Sequence, residues 1–376
     1  MKNNKFIPVF KPSITLKNKF DVLKALLSNE ISGTSKIVKE FEEDIAFKFD
    51  RKYAIAVSNG SVALDVALNT LNLNKDDEII IPSFTIISCL SAISRLKLKP
   101  VFCDVSITSW CMTLEDVKAK FTKKTKAVLM VHTYGLPAEA IKIEKFCKEN
   151  NLILIEDAAE AHGIKIDLRS CGSFGSVSTL SFYANKHITS GEGGMVLTND
   201  IDIYKSALQI RNLDFINNKR FQHDNYYWNY RLGGLQAALG KSQIGNLNST
   251  IKQKIVQGNF YHELLKDKES LMQLPLKKLD GVENNYWVFG VVLKKINIRQ
   301  SVLDELTEMN IETRPFFWPL HLQNVYLRST KTKRESLKNS EYLGSNGFYI
   351  PMGNHVSKKD QIMIAEKLIS SIEKNM

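Results

Sequence analysis

Through the first two-thirds of this chain, short apolar runs of strand length alternate with stretches of helical periodicity. Parallel strands buried on both faces need apolar side chains at successive positions, and each needs a crossover of a dozen or more residues to reach its neighbour. The pattern therefore predicts an α/β fold of β-α-β units wound around a buried, mostly parallel sheet. Seven runs qualify as strands, at 53–57, 78–81, 100–103, 127–132, 152–155, 179–182 and 195–198. Between them lie helical stretches such as 61–71, where Val62, Val66 and Leu68 can share a buried side, and 139–150.

After the 226–247 region the character changes to a long helix near 247–266, followed by two short strand candidates at 286–293 and 348–351. The expected organisation is a large domain over 1–249, including an N-terminal segment, and a smaller C-terminal α/β domain over 250–376. A 376-residue chain with 44% hydrophobic residues can bury both cores.

Composition narrows the classes. The opening MKNNKFIPVF lacks the apolar core of a secretory signal, and no segment approaches the roughly 20 apolar residues of a membrane span. A soluble cytoplasmic protein with no membrane partner is expected. Cys89, Cys103, Cys111, Cys147 and Cys171 form no CxxC pair and no Cys/His grouping at zinc spacing, so neither disulfides nor a metal site is expected. Lysine and arginine exceed the acidic residues by 51 − 40 = 11. They are interspersed with acids, as in KKLDGVENN, which fits a solvated surface or attraction of phosphorylated substrates. No helix-turn-helix or zinc-finger pattern points to nucleic acid.

Three segments carry chemistry. In "LILIED" (152–157) an apolar run ends in two carboxylates where a strand leaves the sheet, the place where open α/β sheets collect ligands. Asp157 reads there either as a ligand group or as a helix cap. At 58–61, "SNGS" joins a strand to a helix, and its small residues let backbone N–H groups approach an anion at the helix N-terminus, or simply make the turn. At 178–194, "STLSFYANKHITSGEGG" ends a strand in a single lysine, Lys186, before a glycine-rich turn. A desolvated lysine is an amine nucleophile. Phosphate cradle, lysine and carboxylate together match the phosphate, aldehyde and ring nitrogen of pyridoxal 5′-phosphate (PLP).

The ordered motifs "SNGSVAL", "DEIIIPSFT", "IEDAAEAHG", "GSFGSVSTLSF", "NKHITSGEGG", "WNYRLGGLQAALG" and "IETRPFFWPLH" resemble those of the DegT/DnrJ/EryC1/StrS sugar aminotransferases, PLP enzymes of the aspartate-aminotransferase-like fold (fold type I). The resemblance covers nearly the whole chain. It implies that Lys186 holds PLP as a Schiff base and is the catalytic residue. It also implies that Asp157 meets the ring nitrogen, that Glu160 lies beside the ring hydroxyl, and that Gly60, Ser61, Ser181 and Asn229 hold the phosphate. In this family the asparagine comes from the neighbouring subunit, so a homodimer is expected. Sugar 3-dehydratases of the family carry histidine in place of the lysine; here the lysine is kept and His187 follows it, which favours transamination.

"NKHITSGEGG" and "IETRPFFWPLH" are similar to segments of enzymes that aminate C4 of GDP-4-keto-6-deoxymannose, with L-glutamate as the expected donor. Two positions depart from the nucleotide-sugar pattern. Ile86 stands where many relatives have an aromatic, leaving Phe84 as the ring-stacking candidate, and Glu30 replaces an aromatic near the N-terminus. A small phosphorylated ketone such as dihydroxyacetone phosphate is the other substrate reading, and a non-catalytic PLP-fold regulator is the reading from another class. His132 and His162 read equally as cofactor neighbours or structural groups. His321 and Trp318, in an aromatic Pro-flanked loop, and Arg231, Lys219 and Arg220, near the expected intersubunit segment, are substrate-side candidates.

Overall fold

The computed structural model describes residues 5–215, 221–330 and 335–376. All seven expected strands form, as β1 (Tyr53–Val57), β2 (Glu78–Pro82), β3 (Lys99–Cys103), β4 (Thr125–Val131), β5 (Ile153–Asp157), β8 (Val177–Ser181) and β9 (Gly194–Thr198). A small hairpin, β6 (Lys165–Ile166) and β7 (Arg169–Ser170), separates β5 from β8. The sheet runs β1-β9-β8-β5-β4-β2-β3. Only β9 opposes its neighbours; the other pairings are parallel. The reversal follows from connectivity, because the segment joining β8 to β9 holds no crossover helix and doubles back at the carboxyl end of β8. Lys186 lies on that segment.

The period-2 alternation of the strands divides the core. On one face Ile55, Val57, Ile81, Leu129 and Ile155 meet Ala63, Val66 and Ala67, with Cys89, Ala92 and Ile93. On the other, Ala54, Ala56, Leu180, Met195 and Leu197 meet Phe41 and Ile45. The helices responsible are α2 (Lys36–Lys48), α3 (Gly60–Asn69) and α4 (Ile87–Arg95), while α1 (Leu16–Leu27) packs on the helix Gly234–Gln243. Both faces of the sheet are thus covered, which is why its strands read as continuous apolar runs. In β5 the same alternation sends Glu156 and Asp157 to opposite sides.

The C-terminal sheet has the order β10-β13-β15-β14, all antiparallel, from β10 (Met272–Gln273), β13 (Phe289–Leu293), β14 (Arg314–Pro315) and β15 (Gly347–Ile350). A hairpin of β11 (Lys278–Leu279) and β12 (Val282–Glu283) lies beside it in sequence. Phe289, Val291 and Leu293 pack on Tyr261 and Leu265 of the helix Leu247–Leu265 and on Ile364 and Leu368 of Lys358–Lys374. Ile7, from the other end of the sequence, packs into this second core and bridges Ile311. Among the described residues no helix is long and apolar enough to cross a membrane.

Candidate active site

The carboxyl ends of β1, β5 and β8 open into a cavity of about 650 Å³ whose wall includes Gly60, Ser61, Asp157, Glu160, Ser181 and Lys186. Three segments far apart in sequence meet there because their strands are near one another in the sheet. Asp157 pairs with Thr179 across β5 and β8, and Ser181 pairs with Gly194 across β8 and β9.

The cradle is built by close backbone approach. Asn59 caps α3, its side chain accepting the Val62 N–H at 2.9 Å. A Cβ on Gly60 would sit 2.8 Å from the Ser181 Cβ, and one on Gly194 would sit 2.3 Å from the Asn59 carbonyl oxygen. Glycine at both positions is therefore a steric requirement, leaving the start of α3 bare toward the cavity. The Ser61 and Ser88 hydroxyls meet at 2.6 Å.

At the other end of the cavity Asp157 accepts the Ala159 N–H at 3.0 Å on one oxygen and the Cys89 thiol at 3.6 Å on the other. Asp157 is thus both turn former and cavity wall. Burial pushes its carboxyl above the ordinary range, against the Ala159 N–H and the Lys186 charge. Glu160 accepts the Tyr134 N–H at 3.0 Å and the Lys186 amine at 3.5 Å. Burial raises the Glu160 carboxyl to about 7, with Lys186 opposing. Burial also lowers the Lys186 amine, with Glu160 and Asp157 opposing. Lys186 therefore has a larger neutral fraction near neutral pH than a surface lysine, the condition for attack on a carbonyl. The Thr179 hydroxyl on the same wall is buried and has no hydrogen-bond partner among the described residues. An unpaired hydroxyl, a glycine-lined cradle and a buried reactive amine beside a buried carboxylate fit PLP.

Behind β5, Glu156 is fully buried and accepts the N–H groups of Gly172 at 2.6 Å and Phe174 at 2.8 Å, with His132 Nε2 at 2.9 Å. His132 Nδ1 accepts the Ala138 N–H, so the imidazole proton sits on Nε2 and is donated to Glu156. Arg51 lies 4.0 Å from Glu156 and donates to the carbonyls of Gly172, Phe174 and Gly175. Cys171 completes a group of metal-ligand types with His132 and Glu156. Hydrogen bonds to the protein already occupy both ring nitrogens of His132 and both oxygens of Glu156, and burial holds the thiol protonated.

Other expected site residues fall elsewhere. Phe84 is fully buried against Tyr134, Phe316 and Phe317, and Ile86 rather than Phe84 lines the cavity. His321 is buried between Ser83, 2.6 Å from Nδ1, and Glu341, 3.3 Å from Nε2. Trp318 is half-exposed and donates to the Leu322 carbonyl; of their loop, Phe317 reaches the cavity wall. Asn229 accepts the Arg231 N–H, while the Arg231 guanidinium bonds Asn212, and neither Asn229 nor Arg231 lines this chain's own cavity. His162 is buried and pushed down to about 3, hence neutral. Glu30 lines a groove with residues of α1 and α2, away from Lys186. Lys219 and Arg220 lie outside the described residues.

Sequence reasoning missed Thr179, Cys89 and Tyr134, and also Trp287 and Tyr349, which line the same cavity. The "HTYG" run held one signal: Tyr134, at φ 57°, and Gly135, at φ 99°, both take left-handed backbone conformations beside the site.

A doubly covered α/β sheet with a buried lysine at its strand ends, facing a buried aspartate and a bare helix start, defines a PLP-dependent enzyme of the aminotransferase type. The particular family follows from comparison: the DegT/DnrJ/EryC1/StrS aminotransferase family matches residues 13–369, and this chain belongs to it. It is 36% identical to GDP-perosamine synthase of Escherichia coli O157:H7 over 97% of this chain and 98% of that protein. Its fold matches Helicobacter pylori PseC, an aminotransferase of pseudoaminic acid biosynthesis, with a TM-score of 0.92 and 21% identity over 98% of this chain and all of that one. It also matches E. coli GDP-4-keto-6-deoxy-D-mannose-3-dehydratase with bound hydrated PLP, at a TM-score of 0.88 and 24% identity, over 96% of this chain and 99% of that one. The chain is a PLP-dependent sugar aminotransferase acting between an amino donor and a keto substrate.

Proposed function

We propose that this enzyme moves the amino group of L-glutamate to C4 of a GDP-linked 4-keto-6-deoxy sugar, making a building block for surface polysaccharide. The carrying observation is the buried Lys186 amine held between Glu160 and the Trp287 ring in a cavity that Asp157 also lines. The substrate reading leans on the 36% identity with a GDP-perosamine synthase across nearly both chains. Glu30 lies outside the wall of this chain's own Lys186 cavity and packs by its backbone on Gly234.

When bound, PLP supplies the carbonyl that takes up the donor's nitrogen and a ring that spreads the electrons released at the donor Cα. Lys186 anchors the cofactor and, once detached, carries a proton on Nζ away from the donor Cα; in the second half-reaction it returns a proton to the sugar carbon. Asp157 would stabilise positive charge on the ring nitrogen, and Glu160 would hold the ring hydroxyl. Gly60, Ser61 and Ser181 cradle the phosphate. Phe84 backs the aromatic wall, and His321 and Trp318 shape the loop that presents Phe317.

Asn229, with Arg231 beside it, serves the site of a second copy. Two apolar surfaces support a homodimer: Leu16, Phe20, Leu23 and Leu27 face outward from α1, and Phe221, Tyr226 and Trp228 are exposed just ahead of Asn229. Mixing Lys186→Ala with Asn229→Ala subunits tests the sharing, since a mixed dimer regains one intact site only if Asn229 acts across the interface.

The substrate is tested by a half-reaction. The pyridoxamine phosphate form is mixed with GDP-4-keto-6-deoxymannose, and return of the lysine-linked absorption band is followed. Conversion supports the proposal. Inertness toward nucleotide-linked ketones with conversion of dihydroxyacetone phosphate would replace it with the small-substrate reading.

A further inference from the structure

Trp287 precedes β13, so it reaches the Lys186 amine from the smaller sheet. Lys186 Nζ lies 3.7 Å from the centroid of its ring. Several contacts fix that ring. The indole Nε1 donates to the carbonyl of Asn185, the residue before the lysine, at 3.1 Å. The Trp287 N–H donates to the Asn285 side chain at 3.2 Å, and its carbonyl accepts from Lys254 at 2.9 Å. The ring stacks on Tyr134 with centroids 5.7 Å apart and planes 20° from parallel. Tyr134 in turn donates its N–H to Glu160, the carboxylate that accepts from Lys186. Lys186, Trp287, Tyr134 and Glu160 thus form a closed circuit of contacts around the amine.

We propose that Trp287 is a positioning residue: its indole face is the resting place of the Lys186 amine whenever that amine is not bonded to the cofactor, holding it beside Glu160. The proposal rests on the reading of Lys186 as cofactor anchor. A turnover that detaches the lysine must keep it within reach for reattachment, and a desolvated ammonium loses its water shell. An aromatic face replaces part of that shell for the charged form alone.

Among the described residues, few charged groups face the amine. Glu160 and Asp157 face it from the end of β5 and favour its charge. His162, from the same turn, and His187, beside the lysine, are both held neutral by burial. Lys254, from the helix Leu247–Leu265, is lowered to about 8 by burial and is bound to the Trp287 carbonyl. Tyr183 and Glu192 line the same cavity. Removing the aromatic face takes support from the ammonium form, so the amine should give up its proton at lower pH.

The test labels the full-length chain, freed of cofactor, with acetic anhydride across a pH series and quantifies Lys186 acetylation by mass spectrometry. Trp287→Leu should move the labelling midpoint down by about one pH unit. Trp287→Phe keeps a ring face and should move it by about half as much; it carries the test alone if the leucine variant fails to fold by circular dichroism. An unchanged midpoint, or equal shifts in both variants, overturns the proposal. Adding PLP to wild type separates the two failures. Absence of a Lys186-dependent visible band sinks the anchor reading, whereas a band with a stationary midpoint sinks only the role of Trp287.

Discussion

Strand β5 ends in two neighbouring carboxylates that are built in opposite ways. Glu156, on the back of the sheet, has both oxygens filled by Gly172, Phe174 and His132, with Arg51 as counter-charge. Asp157, on the cavity side, has one backbone N–H and one long thiol contact. Its neighbours are also under-used: the Thr179 hydroxyl has no partner among the described residues, and Lys186 reaches Glu160 at 3.5 Å, the outer edge of hydrogen bonding. Burying polar groups without partners costs stability, so one carboxylate satisfied beside another left half-paired is the pattern expected where the second is to receive a ligand. The two residues differ by one position and by the face of one strand.

Substitutions on the two sides should separate chemistry from stability. Lys186→Ala should lower turnover about 10,000-fold or more while urea unfolding of the cofactor-free chain stays near wild type, because a buried, weakly paired amine adds little to the fold. Asp157→Asn should lower kcat about 100- to 1000-fold with the fold intact, read by steady-state kinetics beside a thermal melt. Glu156→Gln should do the reverse. Deprived of its counter-charge, buried Arg51 should cost about 3 kcal/mol in denaturant unfolding, with kcat per folded molecule little changed. Equal stability losses for Asp157→Asn and Glu156→Gln would break the comparison.

Glu160 adds a pH dependence of stability. Burial raises the Glu160 carboxyl from its ordinary value near 4.5 to about 7, so the folded chain binds this proton more tightly than the unfolded one. The associated stability is full below about pH 4.5 and is lost as the pH rises through about 7. Glu160→Gln removes this dependence. Relative to wild type it should therefore gain stability between about pH 5 and 7.5, measured by urea midpoints of the cofactor-free proteins.

Much of this was legible in the sequence because parallel strands buried on both faces announce themselves locally. The runs at 53–57 and 195–198 became β1 and β9, and "LILIED" became β5 with Asp157 as its last residue. The reversed direction of β9 was not legible, since periodicity carries no sign of direction. The small sheet was seen only in part, because Met272–Gln273 and Arg314–Pro315 are too short to show a pattern. Lys186, Asp157, Glu160, Gly60, Ser61 and Ser181 were singled out from strand ends and family motifs, and the fold gathers all six around one cavity. Trp287 and Tyr134 escaped because their roles come from packing between segments remote in sequence, as does the seating of Ile7 in the second core. Trp318 and His321 stand in a motif-like run that reads as a binding loop, yet Phe317 is the member of that loop at the cavity wall.

The central claim is that Lys186, on the segment joining β8 to β9, is where the cofactor is carried. Borohydride reduction of the PLP-loaded enzyme, followed by proteolysis and mass spectrometry, tests it directly. The phosphopyridoxyl group should appear on Lys186 and be absent from that peptide in Lys186→Ala. Stoichiometric attachment to any other lysine in the wild-type enzyme would contradict the account.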